Sequence, residues 1–168
     1  MADGFTIRTA RPADLAAVDA LLARSYPRLL APDYPPSALV LALPLLARAQ
    51  PALLASGRYF LAEAPDGQVI GAGGWSRAAP GSGGTGPGLG HMRHLVTDHR
   101  HLRQGIARAI LARVFAEARA DGVGELDCLS TRTAVPFYEA VGFEWREDVT
   151  VALRPGIDFP AVRMRARI

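Results

Sequence analysis

The sequence predicts an α/β fold (α+β by some schemes): a single mixed sheet with helices on both faces. Three observations carry that prediction. Segments with apolar residues at every second position alternate with segments where they recur every three or four, the periods of strand and helix. Nearly half of the residues are hydrophobic (49%), enough for a real core and unlike a disordered chain. A length of 168 residues suffices for one compact domain and falls short of two, so 1–168 is expected to be one unit.

The elements follow in order. Phe5 to Thr9 reads as a short strand, and Arg11-Pro12 starts a helix with the apolar stripe Leu15, Val18, Leu22. A proline-rich link, Pro27 to Pro36, leads to a second helical stretch, Ser37 to Ala49, which Pro44 should kink or split. Arg58 to Glu63 and Val69 to Ser76 form a hairpin around Pro65-Asp66-Gly67, with Gly71, Gly73 and Gly74 implying close backbone approach. Ala79 to Gly90 is a glycine-rich loop, and a strand resumes at about His91 and runs to Thr97. From Gln104 the period turns helical, with Ile106, Ile110, Val114 and Ala118 on one face, until Asp121-Gly122. Glu125 to Leu129 is a strand and Val135 to Val141 a short helix. Two final strands flank the turn Arg154-Pro155-Gly156, giving six to seven strands in all.

Composition narrows the function. All 19 basic residues are arginine, and neither lysine nor asparagine occurs, which excludes a Schiff-base lysine, a phosphate-loop lysine and asparagine-linked glycosylation. The net charge of +3 is modest and no arginine run is interleaved with aromatics, so nucleic acid is not an expected partner. The longest uncharged apolar run, Ala38 to Ala47, is too short for a bilayer and is broken by Pro44, so no membrane association is expected. The N-terminus lacks a secretory pattern, and the lone Cys128 fits a reducing cytoplasm. The Ala/Arg/Gly/Pro bias points to a GC-rich bacterial genome. All four histidines (His91, His94, His99 and His101) fall in one short stretch. Residues three apart on a strand face opposite sides, however, so His91 and His94 are poorly placed to chelate together, and no metal is expected.

The chemistry concentrates between His91 and Leu111. A strand ends, a short polar loop follows, and Gly105 opens an amphipathic helix whose first turn leaves N–H groups free to hold a pyrophosphate. Arg100, Arg103 and Arg108 add charge. An ordinary strand-loop-helix connection with a glycine at its bend has the same pattern. Downstream, Phe137-Tyr138 on a short helix suits a buried aromatic pair as well as a working site.

Taken together, these stretches resemble the GNAT superfamily of N-acetyltransferases. The family signature Gln/Arg-x-x-Gly-x-Gly/Ala falls on Leu102-Arg103-Gln104-Gly105-Ile106-Ala107, after Leu95-Val96-Thr97-Asp98-His99 where relatives carry Leu-x-Val-x-Pro. Leu102, Thr97 and His99 depart from the pattern, yet Arg103 to Arg108 still supply backbone N–H groups. The second motif, Asn-x-x-Ala-x-x-Phe-Tyr-x-x-x-Gly-Phe, is matched from Thr131 through Ala134, Phe137, Tyr138 and Gly142 to Phe143, with Thr131 in place of asparagine. The resemblance implies a GNAT-like, mostly antiparallel sheet whose two central parallel strands splay apart to admit acetyl-CoA as co-substrate. The implied cofactor contacts are Leu95, Val96, Thr97, Leu102, Arg103, Gln104, Gly105, Ile106, Ala107, Arg108, Thr131, Ala134, Phe137 and Tyr138.

The same resemblance implies direct transfer of the acetyl group to an amine. Tyr138 is then the acid that protonates the leaving thiolate, and the backbone N–H of Leu95 the oxyanion donor. His91 stands four residues before Leu95, where arylalkylamine members carry a histidine acting through water, and is the leading general base; His94 is next and Glu63 an outside choice. A solvated histidine at a strand start fits His91 equally. Cys128, mid-strand with no base nearby, reads as a packed thiol rather than a nucleophile. Rival functions are a non-catalytic acyl-CoA-binding module and a transferase with a longer acyl donor or a hydroxyl acceptor. The apolar stretch Leu39 to Leu54 is expected in the core, with a homodimer contact as the second reading.

Overall fold

Hairpin follows hairpin across the first half of the sheet, as the alternating pattern and the glycine turns require. The computed structural model describes residues 4–168, and residues 1–3 lie outside that description. Among the described residues seven strands, β1 (Thr6–Thr9), β2 (Tyr59–Glu63), β3 (Val69–Ser76), β4 (Leu89–Thr97), β5 (Glu125–Ser130), β6 (Glu144–Arg154) and β7 (Ile157–Arg167), form one sheet ordered β1-β2-β3-β4-β5-β7-β6. Every pairing is antiparallel except β4 with β5. That parallel ladder holds only for Leu89 to His91 against Glu125 to Asp127. Beyond it β5 stays paired with β7 as far as Ser130, while the rest of β4 has no partner on that side.

A bulge adds to the parting. Gly74 pairs with Arg93 and Ala72 with Val96, so His94 and Leu95 together oppose the single residue Gly73. His94 absorbs the extra residue at φ 44, a left-handed conformation that is uncommon outside glycine. The expectation that His91 and His94 face opposite sides is therefore corrected. Alternation puts His91 and Arg93 on one face, and after the bulge His94 joins them, both Arg93 and His94 reaching Gln50.

One face is covered by α4 (Ile106–Ala120), which buries Ile106, Ile110, Leu111, Val114 and Ala118, and by the short α5 (Val135–Ala140). The glycines of β3 make this possible. A Cβ on Gly71 would overlap Ile106 Cγ2, and one on Gly73 would lie 2.6 Å from Leu95 Cδ1 and 3.0 Å from Ile110 Cγ2.

The other face carries α1 (Leu15–Leu30) and α3 (Pro51–Ala55) over Tyr59, Leu61, Ala72 and Val96. On the same face α2 (Pro36–Leu46) packs Leu39 and Ala42 near the stacked pair Tyr34 and Phe159. The helix α1 runs through Pro27 instead of ending there, because Leu29 and Leu30 extend the stripe that packs inward. Nor does Pro44 split α2. The carbonyl it leaves unbonded belongs to Val40, which is 73% exposed and open to water. The helix α3 was not expected; Pro51 starts it at a first-turn position. No helix among the described residues is long and apolar enough to cross a membrane.

Candidate active site

Where β4 and β5 part, a cleft of about 330 Å³ opens. Leu95, Val96 and Thr97 of β4 form one wall, and His101 to Arg103 with the first turn of α4 form the rim. Thr131, Thr133, Ala134, Phe137 and Tyr138 close it from the β5–α5 side, and Tyr26, Leu29 and Leu30 from α1. Leu95 has no partner in either neighbouring ladder.

The rim is shaped by backbone. Arg103 at φ 61 and Gly105 at φ 79 turn successive N–H groups into a concave nest. The helix's first bond runs from Ala109 N–H to the Gly105 carbonyl, so the N–H groups of Ile106, Ala107 and Arg108 have no helical acceptor. A Cβ built on Gly105 meets nothing within 4 Å, so the space above it belongs to the cleft.

This loop is held from behind by Asp98, which is wholly buried. Asp98 accepts from Arg100 N–H (2.9 Å) and from the guanidiniums of Arg100 and Arg24 (2.8 Å each). Arg24 also donates to the Val69 carbonyl at 2.7 Å, so α1, β3 and the loop meet at one carboxylate. Hydrogen bonding from Arg100, with Arg24 adding to it, holds that carboxyl well below the usual carboxylate range.

Tyr138 is buried, edge-on to Phe137 and Phe143, with Cys128 beside it. Burial, with Cys128 beside it, pushes its ionisation well above that of an ordinary tyrosine, so the phenol stays protonated at neutral pH. Burial likewise pushes the Cys128 thiol up to about 12, and Cys128 does not line the cleft. As a packed thiol it has almost no thiolate to offer as a nucleophile. The Thr131 hydroxyl accepts from Ala134 N–H at 3.3 Å, leaving its own O–H to donate.

The proposed bases lie elsewhere. His91 is buried and does not line the cleft; its Nδ1 is 3.7 Å from Asp127 Oδ2, and neither ring nitrogen has a hydrogen-bond partner among the described residues. Burial lowers its pKa, with Asp127 opposing. Burial lowers His94 further, to about 4, so it is neutral at pH 7. Glu63 is paired with Arg8 at 2.8 Å on the β1 side of the sheet. Of the residues singled out in the sequence as cofactor contacts, all but Gln104 line the cleft.

Sequence reasoning missed Tyr26, Leu29, Leu30, His101 and Thr133. A signal for the first three existed: Leu15, Val18, Leu22, Tyr26 and Leu29 continue one helical stripe at spacings of three and four, hidden by treating Pro27 as a break.

Comparisons with known proteins agree with this geometry. A family model described as an acetyltransferase (GNAT) domain matches residues 43–166. Among solved structures, a GCN5-related N-acetyltransferase from Rhodopseudomonas palustris is 18% identical over 98% of this chain and 96% of its own, with a TM-score of 0.77. The PaiA N-acetyltransferase of Thermoplasma acidophilum, in complex with coenzyme A, is 15% identical over 98% and 99%, with a TM-score of 0.71. A GCN5-related N-acetyltransferase from Kribbella flavida is 16% identical over the full length of both chains, with a TM-score of 0.65. At these identities the likeness is one of fold. A search of curated proteins finds no match. With three quarters of its length under the family model and the splayed β4–β5 pair in place, the chain belongs to the GNAT acetyltransferase family.

Proposed function

We propose that this chain is an acetyl-CoA-dependent N-acetyltransferase, moving an acetyl group directly to a primary amine of a small molecule or peptide in a ternary complex. One observation carries the reading: a single cleft has a nest of free N–H groups at one end and a buried, protonated phenol at the other. The nest, with Arg103 and Arg108, suits a pyrophosphate. The edge of Leu95 to Thr97 that faces β5 is unpaired and suits an amide-bearing arm laid along it as an added strand, with Thr131 lining the same cleft and its O–H free to donate.

In this reading the Leu95 N–H receives the thioester oxygen as negative charge develops there. The amine nitrogen forms its bond to the acetyl carbon, the C–S bond breaks, and Tyr138 gives its proton to the departing sulfur. His91 does not line the cleft, so in this reading it takes the proton of the amine only through a chain of water. The lone buried Cys128 and the absence of lysine support a bacterial cytoplasmic setting.

The test is calorimetric titration with acetyl-CoA, followed by thiol release over a panel of amines with acetyl and longer acyl donors. Tyr138→Phe is expected to keep acetyl-CoA binding and to lose turnover by about a hundredfold. Unchanged turnover would remove Tyr138 as the acid. Failure to bind acetyl-CoA would refute the reading, and binding without turnover on any amine would favour an acyl-CoA-binding module.

A further inference from the structure

We propose that Arg93 receives a carboxylate of the acceptor, so that the acceptor is a small amine carrying a carboxylate of its own. This rests on the acetyltransferase reading above. Among the described residues Arg93 is the only arginine that is half-buried and has no carboxylate partner; every other arginine sheltered from solvent is paired with an aspartate or a glutamate. Neutral oxygens hold it instead: Nη2 donates to Gln50 Oε1 at 2.6 Å and Nη1 to Ser76 Oγ at 3.1 Å. Nε–H and one N–H on each terminal nitrogen remain to be given, and Nε is not sealed from solvent. Burial weighs against a charge that no acid offsets. An anion docked on the remaining N–H groups supplies the missing partner.

Its place in the sheet ties that anion to the acceptor. Arg93 stands two residues before Leu95 on the face opposite α4, with the bulge at His94 between them. Two residues of strand span about 7 Å, the scale of a small amino acid. Tyr138 belongs to the core under α4. In the proposed transfer the sulfur leaves on that side, and the amine nitrogen approaches the acetyl carbon from the side of Arg93. That side is open: α3 covers Tyr59 and α2 packs near Phe159, while Arg163 and Arg165 keep 43% and 33% of their side chains in solvent. The buried carboxylate of this face, Asp127, is turned to Arg165 at 3.3 Å beside His91. Charge then chooses the anion. Arg163 and Arg165 are already paired with Glu147 and Asp127, so the single unpaired cation matches a carboxylate and not a phosphate dianion.

The experiment is thiol release from acetyl-CoA with the common α-amino acids, β-alanine and γ-aminobutyrate, each acid set against its carboxamide, which keeps the amine and the length but not the charge. Plain alkylamines and aminoalkyl phosphates complete the panel. The best acid is expected to exceed its carboxamide by about ten- to a hundredfold in kcat/KM, mostly through KM. Arg93→Gln should bring the acid down to the level of the carboxamide, while the turnover of the carboxamide and the affinity for acetyl-CoA stay within about threefold of the wild type. Those two readouts show that the variant is folded with its cleft intact. Arg93→Lys, which keeps the charge without the planar fork, should retain part of the preference. Equal rates on acids and carboxamides, or a preference that survives in Arg93→Gln, overturns the proposal. So does turnover confined to plain amines or to aminoalkyl phosphates, and so does a protein that binds acetyl-CoA but acetylates no acid. Failure to bind acetyl-CoA overturns the acetyltransferase reading itself, and this proposal with it.

Discussion

Replacing Asp98 with asparagine tests whether the loop proposed to hold the phosphates is pre-formed by its buried anchor. The side chain is wholly buried and binds Arg24 Nε at 2.8 Å, while Arg24 ties the loop to the Val69 carbonyl. Removing one member of a buried pair costs about 3–5 kcal/mol. Arg24 keeps a quarter of its side chain in solvent, which reduces the loss to about 2–3 kcal/mol. Arg100, half in solvent, adds little. In urea the unfolding midpoint should fall by about 1 M, with the slope unchanged. The pH dependence has a definite sign. The carboxyl is held below its unfolded value of about 4, so its contribution is complete above that range and is lost as pH falls through the folded value. The gap between wild type and variant should therefore hold from pH 8 to pH 5 and narrow below about pH 4. Because the loop carries the Arg103–Gly105 nest, the KM for acetyl-CoA should rise at least fivefold with little change in kcat. A variant within about 0.5 kcal/mol of the wild type and with an unaltered KM would refute the anchoring argument.

Three further substitutions probe the cleft. Gly105→Val places a branched side chain at φ 79 and into open cleft space, so acetyl-CoA affinity measured by titration should drop at least tenfold while the fold loses only about 1–2 kcal/mol. His91→Ala should depress the rate most near neutral pH, where the amine is still protonated and His91 is free to accept its proton, and least at low pH, where His91 is itself protonated. The lowered pKa of His91 places the acid limb of the wild-type profile below pH 6.5, and an identical profile in the variant would remove His91 as the base. Gly73→Ala sets a Cβ 2.6 Å from Leu95 Cδ1, an overpacking cost of about 1–3 kcal/mol that should also lower kcat by displacing the Leu95 N–H; thermal melts and thiol-release rates measure the two effects.

Much of this fold was legible because the local signals agreed. The turn Pro65-Asp66-Gly67 sits between β2 and β3 as expected, with Gly67 at φ 87 and its N–H bonded to the Ala64 carbonyl. The face Ile106, Ile110, Val114, Ala118 is the one buried. The errors cluster at prolines. A proline inside a helix forfeits one hydrogen bond, and whether the helix continues depends on what the following residues bury. That is a tertiary property for Leu29 and Leu30, invisible to a reading of neighbours. The apolar run in α2 was likewise ambiguous. Leu39 and Ala42 are buried, but Val40 and Leu41 on the same helix are exposed.

The site divides along the same line. Gly105, Ala107, Thr131 and Tyr138 stood out because backbone approach and aromatic packing constrain residue type at fixed spacing. The bulge left no such mark. His-Met-Arg-His-Leu-Val reads as an unbroken strand, and only the ladder with β3 shows two residues facing Gly73. Yet this unmarked feature brings the functional halves together. Up to Arg93, β4 alternates in step with β3; past His94 the alternation is inverted, so that Val96 packs under α1 and Leu95 turns towards α4 and the cleft. Gly73 permits that inversion, since any Cβ there would strike Leu95. The glycines of β3 thus do more than let α4 sit close. They hold open the register shift by which a strand otherwise committed to the sheet offers an unpaired edge to a ligand.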